Sequence, residues 1–224
     1  HLEPASRRTY PYGSLAAQVI GFTNISGQGC EGVEAAYDSF LSGKPGKVIT
    51  TKGNNEMDMP FSYEGFTASH SGCSVVLTLD ATVQEILEKQ LRAAIDRYDV
   101  QNGAFGLVMN CKTGEILAMA TLGSYDPNDY QLVWDEETRQ NLEDMRRAYE
   151  RCPQGSLEYT AGKQAYDAAL TQARLKQWRN RCVSDGYEPG STFKLVTLAA
   201  ALDCGAVTEN SSFYCGGHET FNDR

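Results

Sequence analysis

Tyr187-Glu188-Pro189-Gly190-Ser191-Thr192-Phe193-Lys194 is the stretch on which the reading of this 224-residue chain turns. It contains the chain's single Ser-x-x-Lys, a spacing that is weak by itself because Ser and Lys are common. The flanks make it specific. Pro189-Gly190 ends an extended segment and lets the backbone turn sharply, and the apolar run Leu195–Leu202, broken only by Thr197, predicts a compact helix from Ser191 to Leu202 closed by Gly205. Ser191 is expected in the first turn, where backbone N–H groups lack partners and the helix dipole favours negative charge. Lys194, three residues on, falls on the same face. A serine hydroxyl is a poor nucleophile without a neighbouring base, and a desolvated lysine can serve as one. The pattern therefore suits acyl transfer, with the Ser191 N–H as one oxyanion donor. The plainer alternative is a capping serine beside a solvated lysine.

Working outward, the segment before this block reads as polar surface helices, over about Asp135–Arg151 and Gly162–Arg179. Tyr125-Asp126-Pro127-Asn128 is a turn. Ala104–Asn110 and Glu115–Thr121 are short apolar runs around Lys112-Thr113-Gly114, a hairpin. Val83, Ile86, Leu87, Leu91, Ala94, Ile95 and Tyr98 form the stripe of an amphipathic helix with Asp80 as its N-cap, preceded by the β-like Val75–Leu79. Residues 1–71 are rich in Gly, Ser, Tyr and Pro. They predict one helix, from near Gly29 through Val33, Ala36, Tyr37 and Phe40, stopped at Leu41–Gly46. A strand over Lys47–Thr51 and a polar loop through Asn54 and Asn55 follow. The fold class is α+β: an irregular module over 1–71, then the start of an antiparallel sheet flanked by helices over 72–224.

Bulk composition narrows the function. Lys+Arg 20 against Asp+Glu 29 gives a formal net charge of -9, which argues against nucleic acid as a partner, since phosphate binding needs a basic face. A membrane span needs roughly 18 apolar residues in a row, and no run approaches that. The chain begins with His1, so the expectation is that an upstream part has been removed. The 7 cysteines show no C-x-x-C spacing, and Cys204, Cys215 and His218 make an incomplete zinc set. Gly27-Gln28-Gly29-Cys30-Glu31-Gly32 matches a dinucleotide fingerprint without the apolar strand that should lead into it. Asn24-Ile25-Ser26 and Asn210-Ser211-Ser212 are coincidental sequons. His70 has no visible acid partner. Glu31 and Glu34 read as structural ion-pair partners, and Asp135, Glu136, Glu137, Glu143 and Asp144 as a solvated helix face rather than a calcium site.

Several ordered blocks, taken with Tyr187–Lys194, make the chain recognisable. They are Arg8–Ala17 and Val19-Ile20-Gly21; Gly29–Glu34 with Tyr37-Asp38 and Leu41–Gly46; Leu77–Asp80; Lys112–Ala120; Tyr125–Asn128; and Trp178-Arg179-Asn180-Arg181. Over nearly its whole length the chain resembles the class B penicillin-binding proteins, whose superfamily carries the S-x-x-K serine. The resemblance implies a pedestal or linker module over 1–71 and the N-terminal part of a serine transpeptidase domain, of penicillin-binding or β-lactamase-like fold, over 72–224. It implies that Ser191 is acylated by the D-alanyl-D-alanine stem peptide, with Lys194 as its base, and that an acceptor amine resolves the acyl-enzyme into a crosslink. β-Lactams would acylate the same serine. No cofactor and no metal are implied. The implied partners are stem peptides, β-lactams, and glycan-polymerising and morphogenetic membrane proteins, at the extracytoplasmic face of a bacterial membrane. The region before Trp178 leans towards division and sporulation-type members. An interaction pedestal, or a β-lactam sensor or hydrolase sharing the motif, are the alternatives; the linker module disfavours the latter.

One departure bears on activity. The family also uses S-x-N and K-T/S-G motifs after the serine, and neither occurs between Lys194 and Arg224. Lys112-Thr113-Gly114 precedes the serine and sits in a hairpin. Loss of one oxyanion donor costs about 2.7–4 kcal/mol, and loss of an acid–base partner about 10²–10⁴-fold in rate. The expectation is that these 224 residues alone are inactive.

Overall fold

The computed structural model describes residues 7–49 and 65–217. The chain divides into two compact units, His1–Asp185 and Gly186–Arg224, each of which is taken by itself.

Three short helices open the first unit: α1 (Ala17–Ile20), α2 (Gly32–Ala36) and α3 (Asp38–Leu41). The sequence predicts one helix where α2 and α3 stand. It breaks at Tyr37, whose φ of -114° and ψ of 17° leave the helical region. Asp38, the residue after the break, accepts a hydrogen bond from the Gly29 N–H (2.8 Å), which ties the second helix back to the preceding loop. Gly32 has φ +59°, and a Cβ there would stand 2.5 Å from the Val19 carbonyl oxygen. Only glycine lets α1 and α2 approach so closely. β1 (Lys47–Ile49) pairs antiparallel with β2 (Gly65–Thr67), a strand the sequence does not announce. Thr50 and Thr51, at the end of the expected strand, lie outside the described residues, as do the Asn54–Asn55 loop and His218.

α4 (Ala81–Tyr98) starts as expected at Asp80, whose carboxylate accepts from the Thr82 and Val83 N–H groups. Its face is less apolar than the stripe implies. Ile86 and Tyr98 are exposed, while Gln84 is buried. The reason is the neighbouring hairpin, β3 (Phe105–Met109) and β4 (Ile116–Thr121), which pair antiparallel. The free edge of β4 faces α4 and must be satisfied. Gln84 does this as a strand would: its Nε2 donates to Met119 O (2.9 Å) and its Oε1 accepts from Met119 N (2.8 Å). Thr78 Oγ1 donates to Ile116 O (2.7 Å), and Asp80 N to Leu117 O (2.8 Å). Val75–Leu79 is therefore not a strand; side chains and one backbone N–H cover the edge instead. The hairpin loop is Lys112-Thr113-Gly114, as expected, with Gly114 N donating to Asn110 O (2.8 Å).

After a 3-10 turn over Pro127–Asp129, capped by Asp126, come α5 (Glu136–Glu150) and α6 (Leu157–Trp178), an antiparallel pair. Asp135 caps α5 and Ser156 caps α6, so α6 begins five residues before the expected Gly162. Gly162 sits inside α6 where a Cβ would meet Tyr149 Cβ at 2.6 Å. The glycine that reads as a helix start is a point of close helix contact. α7 (Arg181–Ser184) ends the unit, capped by Asn180.

The core joins both ends of this unit. Phe22 stacks on Tyr130 (ring centroids 4.0 Å, 12° between planes) and packs against Trp178 (4.9 Å) and edge-on against Tyr125 (5.9 Å). Tyr125 is fully buried, and its hydroxyl donates to Ala17 O (3.2 Å). Burial pushes that phenol's pKa well above its ordinary value. Asn128 clamps the backbone of Tyr10, accepting from its N–H (2.9 Å) and donating to its carbonyl (2.8 Å). Residues 10–22 and 125–178 thus close one aromatic core.

The second unit holds a 3-10 turn, Gly190–Thr192, running into α8 (Phe193–Asp203). None of its described residues is buried. Among the described residues no helix is long and apolar enough to cross a membrane.

Candidate active site

Ser191 lies one turn earlier than a simple helix would have it. Pro189 is the cap residue, Gly190 takes φ +55°, and Gly190–Thr192 form a 3-10 turn rather than the first turn of α8. Pro189 has no N–H to offer, but its carbonyl accepts from Thr192 N (3.2 Å) and from the Thr192 hydroxyl. That pair of bonds tightens the turn. Residues i and i+3 eclipse in 3-10 geometry, so Ser191 and Lys194 start on one side of the helix head. Both side chains are exposed, and among the described residues no hydrogen bond joins them. The end of α8 follows expectation: Gly205 takes φ +72° and its N–H donates to Leu202 O (3.1 Å).

Several of the other residues singled out by sequence have structural employment, whereas Glu31, expected as an ion-pair partner, makes no ion pair among the described residues. Glu34 is buried and paired to Arg8, Nε to Oε1 at 2.6 Å. The pairing raises the Arg8 pKa. Asn24 Oδ1 accepts from Ser26 N and Gln28 N, which folds the Gly27–Gly29 segment into a turn instead of a phosphate loop. His70 exchanges backbone hydrogen bonds with Lys44 (both 2.9 Å). Among the described residues no group of three His, Cys, Asp or Glu side chains is placed to hold a metal. The acidic face of α5 is laced with arginines, Arg139 to Glu136 and Arg147 to Glu143 among them.

Sequence reasoning matched Trp178–Arg181 to a family block without giving its side chains work. In the structure Arg179 Nε stands 2.6 Å from Asp185 Oδ1, and Arg181 Nε 3.0 Å from Asp185 Oδ2. The signal available was the i,i+4 spacing of Arg181 and Asp185. A groove of about 1240 Å³ also lies in the first unit, walled by Val19, Val33, Ala36, Ala173, Trp178 and Val183 among others. No run of sequence marks it, because its walls come from segments over 130 residues apart.

Residues 104–223 match the family described as penicillin binding protein transpeptidase domain. The chain belongs to that family. It is 34% identical over 214 residues to stage V sporulation protein D of Bacillus subtilis, covering 95% of this chain and 27% of that protein. It is 31% identical over 224 residues to the peptidoglycan D,D-transpeptidase FtsI of Escherichia coli K12, covering 98% of this chain and 31% of the relative. Among solved structures, apo penicillin-binding protein 3 of Mycobacterium tuberculosis superposes with a TM-score of 0.56 at 28% identity, over 89% of this chain and 32% of that one. The chain therefore spans about a third or less of the length of these relatives.

Proposed function

We propose that this chain is part of a peptidoglycan D,D-transpeptidase in which Ser191 is the acylated nucleophile and Lys194 its general base. The observation that carries the reading is the Ser191-x-x-Lys194 turn at the head of an apolar helix, inside the stretch matched by the transpeptidase family. In this reading Lys194 takes the Ser191 proton as Oγ attacks the penultimate D-alanine carbonyl of a stem peptide. Terminal D-alanine departs, and the amine of a second stem peptide displaces the serine to form the crosslink. A β-lactam carbonyl is attacked by the same hydroxyl, and its ring opens without a departing fragment. Residues 1–71 form the pedestal module and 72–224 the beginning of the transpeptidase domain. The whole protein works at the extracytoplasmic membrane face with glycan-polymerising and morphogenetic partners. Relatives named for sporulation and for peptidoglycan transpeptidation support the setting.

The test is labelling by a fluorescent penicillin. The full-length protein should label stoichiometrically and its Ser191→Ala variant not at all, while the isolated 224 residues should stay unlabelled. Stoichiometric labelling of the Ser191→Ala protein would sink the assignment. A long-lived label favours a transpeptidase over a hydrolase.

A second reading, in which the pedestal recruits a protein partner, draws on the groove whose walls include Val19, Val33 and Ala36. Deleting residues 1–71 would strip Ala17 and Phe22 from the core, so the cleaner probe is Ala36→Glu, which puts a charge on the exposed rim. Loss of partner capture with unchanged penicillin labelling supports recruitment; unchanged capture counts against it.

A further inference from the structure

The groove of the first unit has the dimensions of a helix rather than of a small molecule. α1 packs against both α2 and α6 and supplies Val19 to the lining. α6 presents Ala169, Ala173 and Lys176 to it, spaced i, i+4 and i+7 along one face. α2 presents Gly32 and Ala36. At those alanines and the glycine no side chain reaches past Cβ, so a helix laid between the walls can approach to the ordinary axial distance of about 8–10 Å. Two helical turns, about 10 Å across and about 11 Å long, fill roughly 850 Å³; the groove holds about 1240 Å³. Leu175 and Val183, both exposed, extend its apolar lining.

Three charged side chains line the groove, and their circumstances differ. Arg179 is held by Asp185, Nε to Oδ1 at 2.6 Å. Glu31 stands at the N-cap position of α2, but its side chain makes no capping bond and no ion pair among the described residues. It is half-buried, and that burial raises its pKa. Desolvation without a partner disfavours the charged carboxylate, and a cation set against it restores the balance. Lys176 lies on the α6 wall. Its charge is felt by the Asp135 carboxyl, but it too forms no ion pair among the described residues. The groove therefore carries an unengaged anion on its α2 side and an unengaged cation on its α6 side.

We propose that this groove receives an amphipathic helix of a partner protein, seated by its apolar face, with a basic side chain against Glu31 and an acidic one against Lys176. The inference rests on the recruitment reading given above and adds the chemistry of the partner. Helices that dock in this way are read through apolar anchors at i, i+3, i+4 and i+7, and flanking charges select among them. A second copy of the chain fits less well, because each carries a net charge of -9 and the two repel.

The probe is a fluorescent, side-chain-stapled helical peptide of about 14 residues, with Leu and Ala at i, i+3, i+4 and i+7, Lys along one edge and Glu along the other. A second peptide carries Glu on both edges. Binding to the purified full-length protein is read by fluorescence anisotropy. The Lys–Glu peptide should bind saturably, and Glu31→Lys should weaken it about tenfold. The Glu–Glu peptide should bind the parent about tenfold more weakly and recover on Glu31→Lys. Absence of saturable binding by the Lys–Glu peptide would overturn the proposal, and so would a Glu31→Lys effect of the same sign on both peptides. Self-association in sedimentation that the peptide dissolves would put a second copy in the groove and reject a partner helix. Should Glu31→Lys not fold, Lys176→Glu with a peptide carrying Lys on both edges decides by the same criteria. Partner capture that survives Ala36→Glu would reject recruitment itself. Capture lost in Ala36→Glu, with no binding of the Lys–Glu peptide, would reject the helical occupant alone.

Discussion

The aromatic cluster around Phe22 and the helix headed by Ser191 are both rich in apolar side chains, yet they are stabilised in opposite ways. Phe22, Tyr125, Tyr130 and Trp178 bury one another, and their polar atoms find partners within the same unit: Tyr125 on Ala17 and Trp178 Nε1 on Tyr130 O (2.9 Å). In the second unit Phe193 (55%), Leu195 (72%) and Val196 (57%) remain exposed, and α8 carries apolar residues on every side. A helix hydrophobic all round is built to be covered. The first region is complete in its own contacts. The second, among its described residues, buries none of its apolar side chains.

Substitutions that probe the contrast should fall in a definite order when the 224-residue chain is unfolded by urea. Phe22→Ala should cost the most, about 3–5 kcal/mol, by removing the ring on which three others pack. Gln84→Ala should cost about 1–3 kcal/mol, since it leaves the Met119 N–H and carbonyl at the β4 edge without partners; loss below the error of the measurement would mean that water replaces the amide freely. Asp135→Ala should cost about 1 kcal/mol through loss of the α5 cap. The hydrogen bond from Thr138 is the main cause holding the Asp135 pKa below its ordinary 3.8. A carboxyl with a depressed folded pKa stabilises above its unfolded pKa and loses that contribution as pH falls through the folded value. The Asp135→Ala penalty should therefore be full at neutral pH and shrink below pH 3.8, which paired unfolding curves would read directly. Leu195→Ala should change stability by less than about 0.5 kcal/mol, as for a surface site. A cost comparable to Phe22→Ala would erase the distinction between the two regions.

Legibility from sequence followed the range of the interaction. Helices α4 and α5 and the β3–β4 hairpin were readable because their periodicity and turn residues lie within a few positions of each other: Asp80 caps α4 and Lys112-Thr113-Gly114 turns the hairpin as expected, while the caps Asp135 and Ser156 were not singled out as such. Tyr37 misled, because its apolar spacing continues the helix while its backbone conformation breaks it. Val75–Leu79 misled in the same sense. Its β-branched residues favour a strand, but the edge it faces was already taken by Gln84. At the candidate site, the Ser191–Lys194 spacing was plain in sequence and the 3-10 turn that carries it was not.

What the sequence by itself determined is the family, the order of the principal elements and the serine–lysine pair, since all three are written in spacing along the chain. Only the tertiary structure decided that Phe22 and Trp178 share a core, that Gln84 serves as a strand edge, and that one aspartate holds two arginines ahead of the serine. Those outcomes depend on which surfaces meet across more than 30 residues or on how a short helix folds back on its own flanks. Periodicity reports the face a residue is on; it does not report what will stand opposite.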